Sequence, residues 1–178
     1  RTGVLVALER AEALGGAGRW ADAFAQLQPL EERGDQFLLT RASFAVRAGL
    51  FDAAEGDLEA AMAQAPNRPD VLRLRALVEE LRRNGPAARA LYESVLVLDA
   101  SDAQATTGLG RLAEIEGDAE RAEAHYREAL VQQPGQAEAT WRLAARRAEL
   151  WEGHGADDPL TATGRHRLPA FPRSRSAA

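Results

Sequence analysis

An all-α fold of repeated antiparallel helix pairs is what this sequence predicts, and three observations predict it. Apolar residues recur at intervals of three and four, as at Leu72, Ala76, Leu77 and Leu81 or at Leu91, Val95 and Leu98, which marks amphipathic helix rather than strand. A period of about 34 residues relates Pro66, Ala100 and Pro134, and self-similarity at such a period signals stacked repeats. Gly18, Gly49 and Gly117 mark turns inside successive units.

The best-formed unit is Ala103 to Gln136, where Leu109-Gly110, Gly117, Ala122, Tyr126, Ala129 and Pro134 punctuate two helices. Small residues at Gly110, Ala122 and Ala129 let the two helices approach closely, and Tyr126 fills the gap between them. Taken in order, residues 4–34 form a first unit: Gly18-Arg19-Trp20 matches Gly49-Leu50-Phe51, and Ala11, Ala23, Leu27 and Leu30 fall where Ala42, Ala54, Leu58 and Ala61 do. Its spacing falls three short of the period. The expectation is that the missing residues come out of Glu31 to Asp35, leaving a tight turn made by Gly34. Residues 35–68 form the second unit. Residues 69–102 form the third, with Ala76, Ala88, Tyr92 and Val95 in phase but with its glycine, Gly85, two residues late and followed by Pro86. Residues 137–152 read as a lone helix that covers the last exposed apolar face, as a repeat array requires.

Helix-end signals support a division into nine helices. Ser101-Asp102-Ala103-Gln104 has the form of a capping box, Pro69-Asp70 opens a helix, and Asp52 and Asp118 stand at first turns, where carboxylates meet free amides. From Gly153 the helical periodicity stops; prolines and small polar residues predict an extended tail or linker over 153–178.

Composition narrows function. The chain has no cysteine, so thiolate chemistry and disulfides are excluded. All 22 basic residues are arginine, a mark of coding bias in a GC-rich genome. Residues 1–158 hold eighteen arginines against 27 acids, a net charge of −9. An acidic body argues against nucleic acid as a partner. No apolar run approaches the ~20 residues of a membrane helix. The first residue is Arg1, which suggests either processing or a piece of a longer polypeptide.

The spacing of Gly110, Gly117, Ala122, Tyr126, Ala129 and Pro134 resembles the tetratricopeptide repeat, and the resemblance extends over residues 4–151. It implies a right-handed superhelical α-solenoid of about four repeats plus a C-terminal capping helix. It also implies that the first helix of each pair lines a concave groove that takes a peptide or protein segment. Carried onto this sequence, the groove positions are Leu39, Thr40 and Ser43 in the second unit and Arg73, Leu74 and Leu77 in the third. Thr107, Arg111 and Glu114 follow in the fourth, then Trp141, Arg142 and Ala145 in the cap. Arg73, Arg111 and Arg142 form a basic row suited to carboxylates or an acidic peptide; the competing account pairs each with a neighbouring acid such as Glu80, Glu114 or Glu149. Trp141 is either an anchor for an apolar side chain or buried against its neighbour. One branch of the family grips C-terminal carboxylates with lysines and asparagines, but this chain has no lysine and its asparagines, Asn67 and Asn84, lie in turns.

Arg10, Arg41 and Arg75 precede the small residue of successive first helices, and their stems are expected to pack while the charges reach water. Trp20, Phe51, Tyr92 and Tyr126 are assigned to packing. No catalytic residue, metal site or cofactor is expected: His125, His154 and His166 lack ligand spacing, and no nucleophile-elbow, phosphate-loop or dinucleotide motif is present. The leading reading is a non-catalytic scaffold that binds a protein or peptide in its groove. A second makes the chain the interaction arm of a larger transferase or hydroxylase, and a third lets the basic tail fold over the groove.

Overall fold

The computed structural model describes residues 2–32 and 34–155, and side chains over 3–148 except residue 33. Among these residues there are nine helices and no strand: α1 (Thr2–Gly16), α2 (Trp20–Leu27), α3 (Asp35–Arg47), α4 (Phe51–Gln64), α5 (Pro69–Leu81), α6 (Gly85–Leu98), α7 (Ala103–Ile115), α8 (Ala119–Gln132) and α9 (Ala137–Gly155). Successive helices pack on one another, α1 with α2 through α7 with α8, and α9 closes on α8. The result is a solenoid. The tail expected from Gly153 falls mostly on residues 156–178, outside the described residues.

The turn inside each pair repeats atom for atom. Gly18, Gly49 and Gly117 adopt φ of +76°, +76° and +78°, the left-handed conformation that glycine enters without a Cβ penalty. The amide after each closes on a carbonyl five residues back: Arg19 N to Leu14 O at 2.9 Å, Leu50 N to Ala45 O at 2.8 Å, Asp118 N to Ala113 O at 2.9 Å. The third unit keeps the turn without the glycine. Arg83, one repeat period after Gly49, takes φ +64°, and Asn84 N bonds Glu79 O at 2.8 Å. Gly85 therefore does not shift the turn; it opens α6, with Pro86 in the first turn where no amide donor is needed.

The first unit departs differently from expectation. α2 has 8 residues where α4, α6 and α8 have 14 each, and residues 28–32 and 34 lie outside any helix, where a tight turn was expected. Pro29 is the physical reason, because it carries no amide donor to continue the helical ladder beyond Gln28. Gly34 sits at φ −61°, ψ 140°, an ordinary extended cap residue of α3. The missing residues come out of a helix, and the loop grows.

Packing follows the small-residue column. A Cβ added to Gly110 would stand 2.4 Å from Tyr126 Cε1, and one added to Gly108 would stand 2.4 Å from Tyr92 Cζ. Each tyrosine ring is seated on a helix that has been stripped bare there. Both tyrosines are buried, as are Ala122, Ala129, Ala76 and Ala88. The core is uneven along the array. Its α1–α5 part contains Phe24, Leu27, Leu38, Phe44 and Leu58, and full burial of such a side chain contributes about 2 kcal/mol. The α7–α9 part is five alanines and Tyr126, with Leu130 and Leu143 at its edge.

Arg41 overturns the expectation that its charge reaches water. Its guanidinium is buried, donating from Nε to Asp57 Oδ2 at 2.8 Å and from Nη2 to Asp57 Oδ1 at 2.6 Å. The Phe37 ring lies 5.3 Å from its Cζ. A carboxylate on α4 facing the stem makes burial tolerable; without Asp57 the head would have to leave. Arg75 donates to Met62 Sδ at 3.4 Å, and Arg10 is exposed.

Candidate functional site

Helices α3, α5, α7 and α9, the first members of their pairs, border a concave cavity of about 950 Å³. Leu39, Thr40 and Ser43 enter it from α3, Arg73, Leu74 and Leu77 from α5, Arg111 from α7 and Arg142 from α9. Four candidates, Thr107, Glu114, Trp141 and Ala145, stand elsewhere. Thr107 is buried, with its hydroxyl donating to Ala103 O and accepting from Gln136 Nε2, both at 2.7 Å. Glu114 and Trp141 border an adjoining cavity of about 350 Å³, which Ala145 and Arg142 also line. Trp141 is 64% exposed, so it is not buried against a neighbour.

The three arginines of the basic row are engaged by acids of the protein. Arg73 Nη1 donates to Asp102 Oδ2 at 2.7 Å, while Asp102 Oδ1 accepts from Ala105 N at 2.9 Å. Asp102 is thus the cap of α7, one residue after the Ser101 of the expected capping box, and it ties α5 to α7. Ser101 instead donates its hydroxyl to Asp99 Oδ1 at 2.7 Å.

Arg111 is the hub. Its Nε and Nη2 grip the two oxygens of Glu80 at 2.7 and 2.8 Å, Nη2 also donates to Tyr92 Oη at 2.9 Å, and Nη1 reaches Glu138 Oε2 at 3.0 Å. Tyr92 in turn donates to Glu80 Oε2 at 2.9 Å. Four hydrogen bonds occupy a group that has five N–H donors. Burial alone disfavours the Arg111 charge, but the Glu80 bonds and the nearby Glu138 outweigh it, so the guanidinium holds its proton more firmly than an ordinary arginine. Burial likewise pushes the Tyr92 hydroxyl well above the usual phenol range. Arg142 donates to Glu114 and, from Nε at 3.1 Å, to Glu138 Oε1.

Other groove residues were not singled out by the sequence reading. Arg47 and Leu81 line the cavity at the last residues of α3 and α5. They lie four positions, about one helical turn, beyond Ser43 and Leu77 and are one repeat period apart, so extending the column by one step would have found them. Gln133, Gly135 and Gln136 enter from the loop before α9, and no helical pattern announces a loop. Gln136 Oε1 accepts from Ala139 N at 2.7 Å, which caps α9.

A family model described as the tetratricopeptide repeat matches residues 39–103 and 82–137, together more than half of the chain. The chain belongs to the tetratricopeptide repeat family. Solved tetratricopeptide structures share its fold at low identity. A crystal structure of MamA is 20% identical over 76% of this chain and 81% of that one, with a TM-score of 0.60. The first such domain of Spaghetti (RPAP3), bound to the HSP90 peptide SRMEEVD, is 20% identical over 68% of this chain and 96% of that one, TM-score 0.57. YrrB, described as having an unusual peptide-binding site, is 14% identical over 77% and 71%, TM-score 0.61. Comparison with curated proteins gave no match. Among the described residues of this tetratricopeptide chain, no cluster of His, Asp and Glu is placed to hold a metal ion. No described helix is long and apolar enough to cross a membrane.

Proposed function

We propose that this tetratricopeptide chain is a non-catalytic interaction module whose concave groove holds an extended segment of a partner protein. The observation that carries the reading is the 950 Å³ cavity bordered by four helices from successive units, with Leu39, Leu74, Leu77 and Leu81 turned toward it. Leucine side chains lining an open channel present apolar area that a ligand can cover. An extended backbone laid across stacked helices contacts several units at once, which suits a solenoid better than a compact ligand does. The peptide-bound Spaghetti domain and the peptide-binding site attributed to YrrB, both of this fold, support the same use.

The test is site-specific photocrosslinking in the cells from which the protein comes. A benzophenone side chain placed at Ser43, inside the groove, is expected to form partner adducts, and the same group at Val131, on α8 and 82% exposed, is expected to form none. Adducts from Val131 alone would place the partner on another surface and defeat the groove reading.

A further inference from the structure

Seven charged residues line the groove: Arg47, Asp70, Arg73, Glu80, Arg111, Glu138 and Arg142. Six are compensated within the protein. Arg73 is held by Asp102, Arg111 by Glu80 and Glu138, Arg142 by Glu114 and Glu138, and Asp70 by Arg68, which bonds it from both Nε and Nη2. A carboxylate arriving at Arg111 would compete with one already bound through two hydrogen bonds in a water-poor setting. Displacing Glu80 would strand a buried charge, which costs more than the new contact returns.

Arg47 is different. It is exposed, no carboxylate lies within ion-pairing distance among the described residues, and its Cζ rests 4.7 Å from the Trp20 ring centroid. The indole holds the guanidinium in place without using its hydrogen-bond donors. Beside it, at the same register of the next unit, Leu81 is 46% exposed, and Leu77 lies one turn back.

From this charge balance we infer that the groove selects a partner segment of near-zero net charge, which lays apolar side chains on Leu39, Leu77 and Leu81 and sets a single carboxylate on Arg47. The inference rests on the groove reading and names the ligand chemistry for it. A polyacidic segment is disfavoured, because among the described residues one cation in the groove, Arg47, is open to it. A basic segment is disfavoured at the same point, by Arg47 itself.

Selection from a displayed library of random dodecapeptides on the immobilised full chain tests this. Wild-type protein is expected to enrich peptides with two or more aliphatic or aromatic residues and one Asp or Glu at a fixed offset from them. Arg47→Glu should keep the apolar positions and replace the acid by Lys or Arg. With a single wild-type winner as probe, Arg47→Gln should weaken binding about two- to fivefold, the range of one exposed ion pair, which also serves if Arg47→Glu misfolds by circular dichroism. Winners rich in acids, or an acid position that survives Arg47→Glu, would overturn the inference and leave the groove reading standing. No enrichment on wild-type protein would overturn both.

Discussion

At the α3/α5 end of the groove stand Leu39, Leu77, Leu81 and Arg47; at the α7/α9 end stand Arg111, Glu138 and Arg142. Leu77 and Arg111 occupy one and the same slot in successive units. The cores behind them account for the contrast. Behind the leucines lies a cluster of phenylalanines and leucines that holds α1 to α5 together by burial. Behind Arg142 lies a cluster of alanines and one tyrosine, which removes less apolar area from water per contact, while Arg111 borders a middle cluster of Leu72, Tyr92, Val95, Leu109 and Leu112. There polar bonds add to the packing: Arg111 joins α7 to α5 and α9, Arg142 joins α9 to α7, and Gln136 joins the loop before α9 to Thr107. An arginine row that looks made for a ligand is here a set of braces, and the leucines, which only border the core, are the groove's apolar surface on which the proposed function rests.

Breaking the braced end should have the largest effect. Gly108→Ala drives a methyl group into the Tyr92 ring, and Tyr92 carries the hydroxyl shared by Glu80 and Arg111. Overpacking costs about 3 kcal/mol and the better helix propensity of alanine returns about 1. A net loss of about 2 kcal/mol in urea denaturation is therefore expected. The leucine end has its own weak point in the turn directly after Leu81. Arg83→Gly removes the strain of a positive φ and should raise stability by about 1 kcal/mol, read as an increase in the urea midpoint at unchanged slope.

The smallest effect is on pH dependence. Arg68 hydrogen-bonds Asp35 and Asp70, and these bonds hold both carboxyls below the usual carboxylate range. The folded state therefore binds fewer protons than the unfolded one. The contribution is present above the ordinary carboxylate value near about pH 4 and is lost as pH falls through the lowered values. Arg68→Met should therefore lower stability modestly above about pH 4 and converge with wild-type protein as pH falls below that value, which leaves the variant with a flatter acid limb in a stability profile.

Much of the architecture could be read in the residues because the repeat writes it in positions where only small side chains fit. Gly110 and Tyr126 are such a pair, and the first unit, aligned on Gly18-Arg19-Trp20, has the turn bond from Arg19 to Leu14 that its later copies have. Arg83 hid the third turn, because an arginine in the left-handed slot carries no composition signal. The long loop before α3 was hidden as well, although Pro29 was there to announce it.

The resemblance supplied Leu39, Ser43, Leu77 and Arg111, which line the cavity, but it could not say what Arg111 touches. Glu80 and Glu138 lie on other units, far from Arg111 along the chain, and which carboxylate meets a guanidinium depends on the rotation of each helix about its axis. Arg41 and Asp57 illustrate the same limit in the core. Arg47 escaped notice for a simpler reason: it sits one turn past the last position the resemblance supplied.

The central claim, that Arg111 is a brace and Arg47 an open contact, can be tested without knowing the partner. Equilibrium urea unfolding of Arg111→Ala and Arg47→Ala is measured side by side with wild-type protein. Removing Arg111 leaves Glu80, which is buried, without its counter-charge, and should cost about 3 kcal/mol. Removing Arg47 should change stability by no more than about 0.5 kcal/mol. Equal losses for the two variants, or a stable Arg111→Ala, would contradict the account.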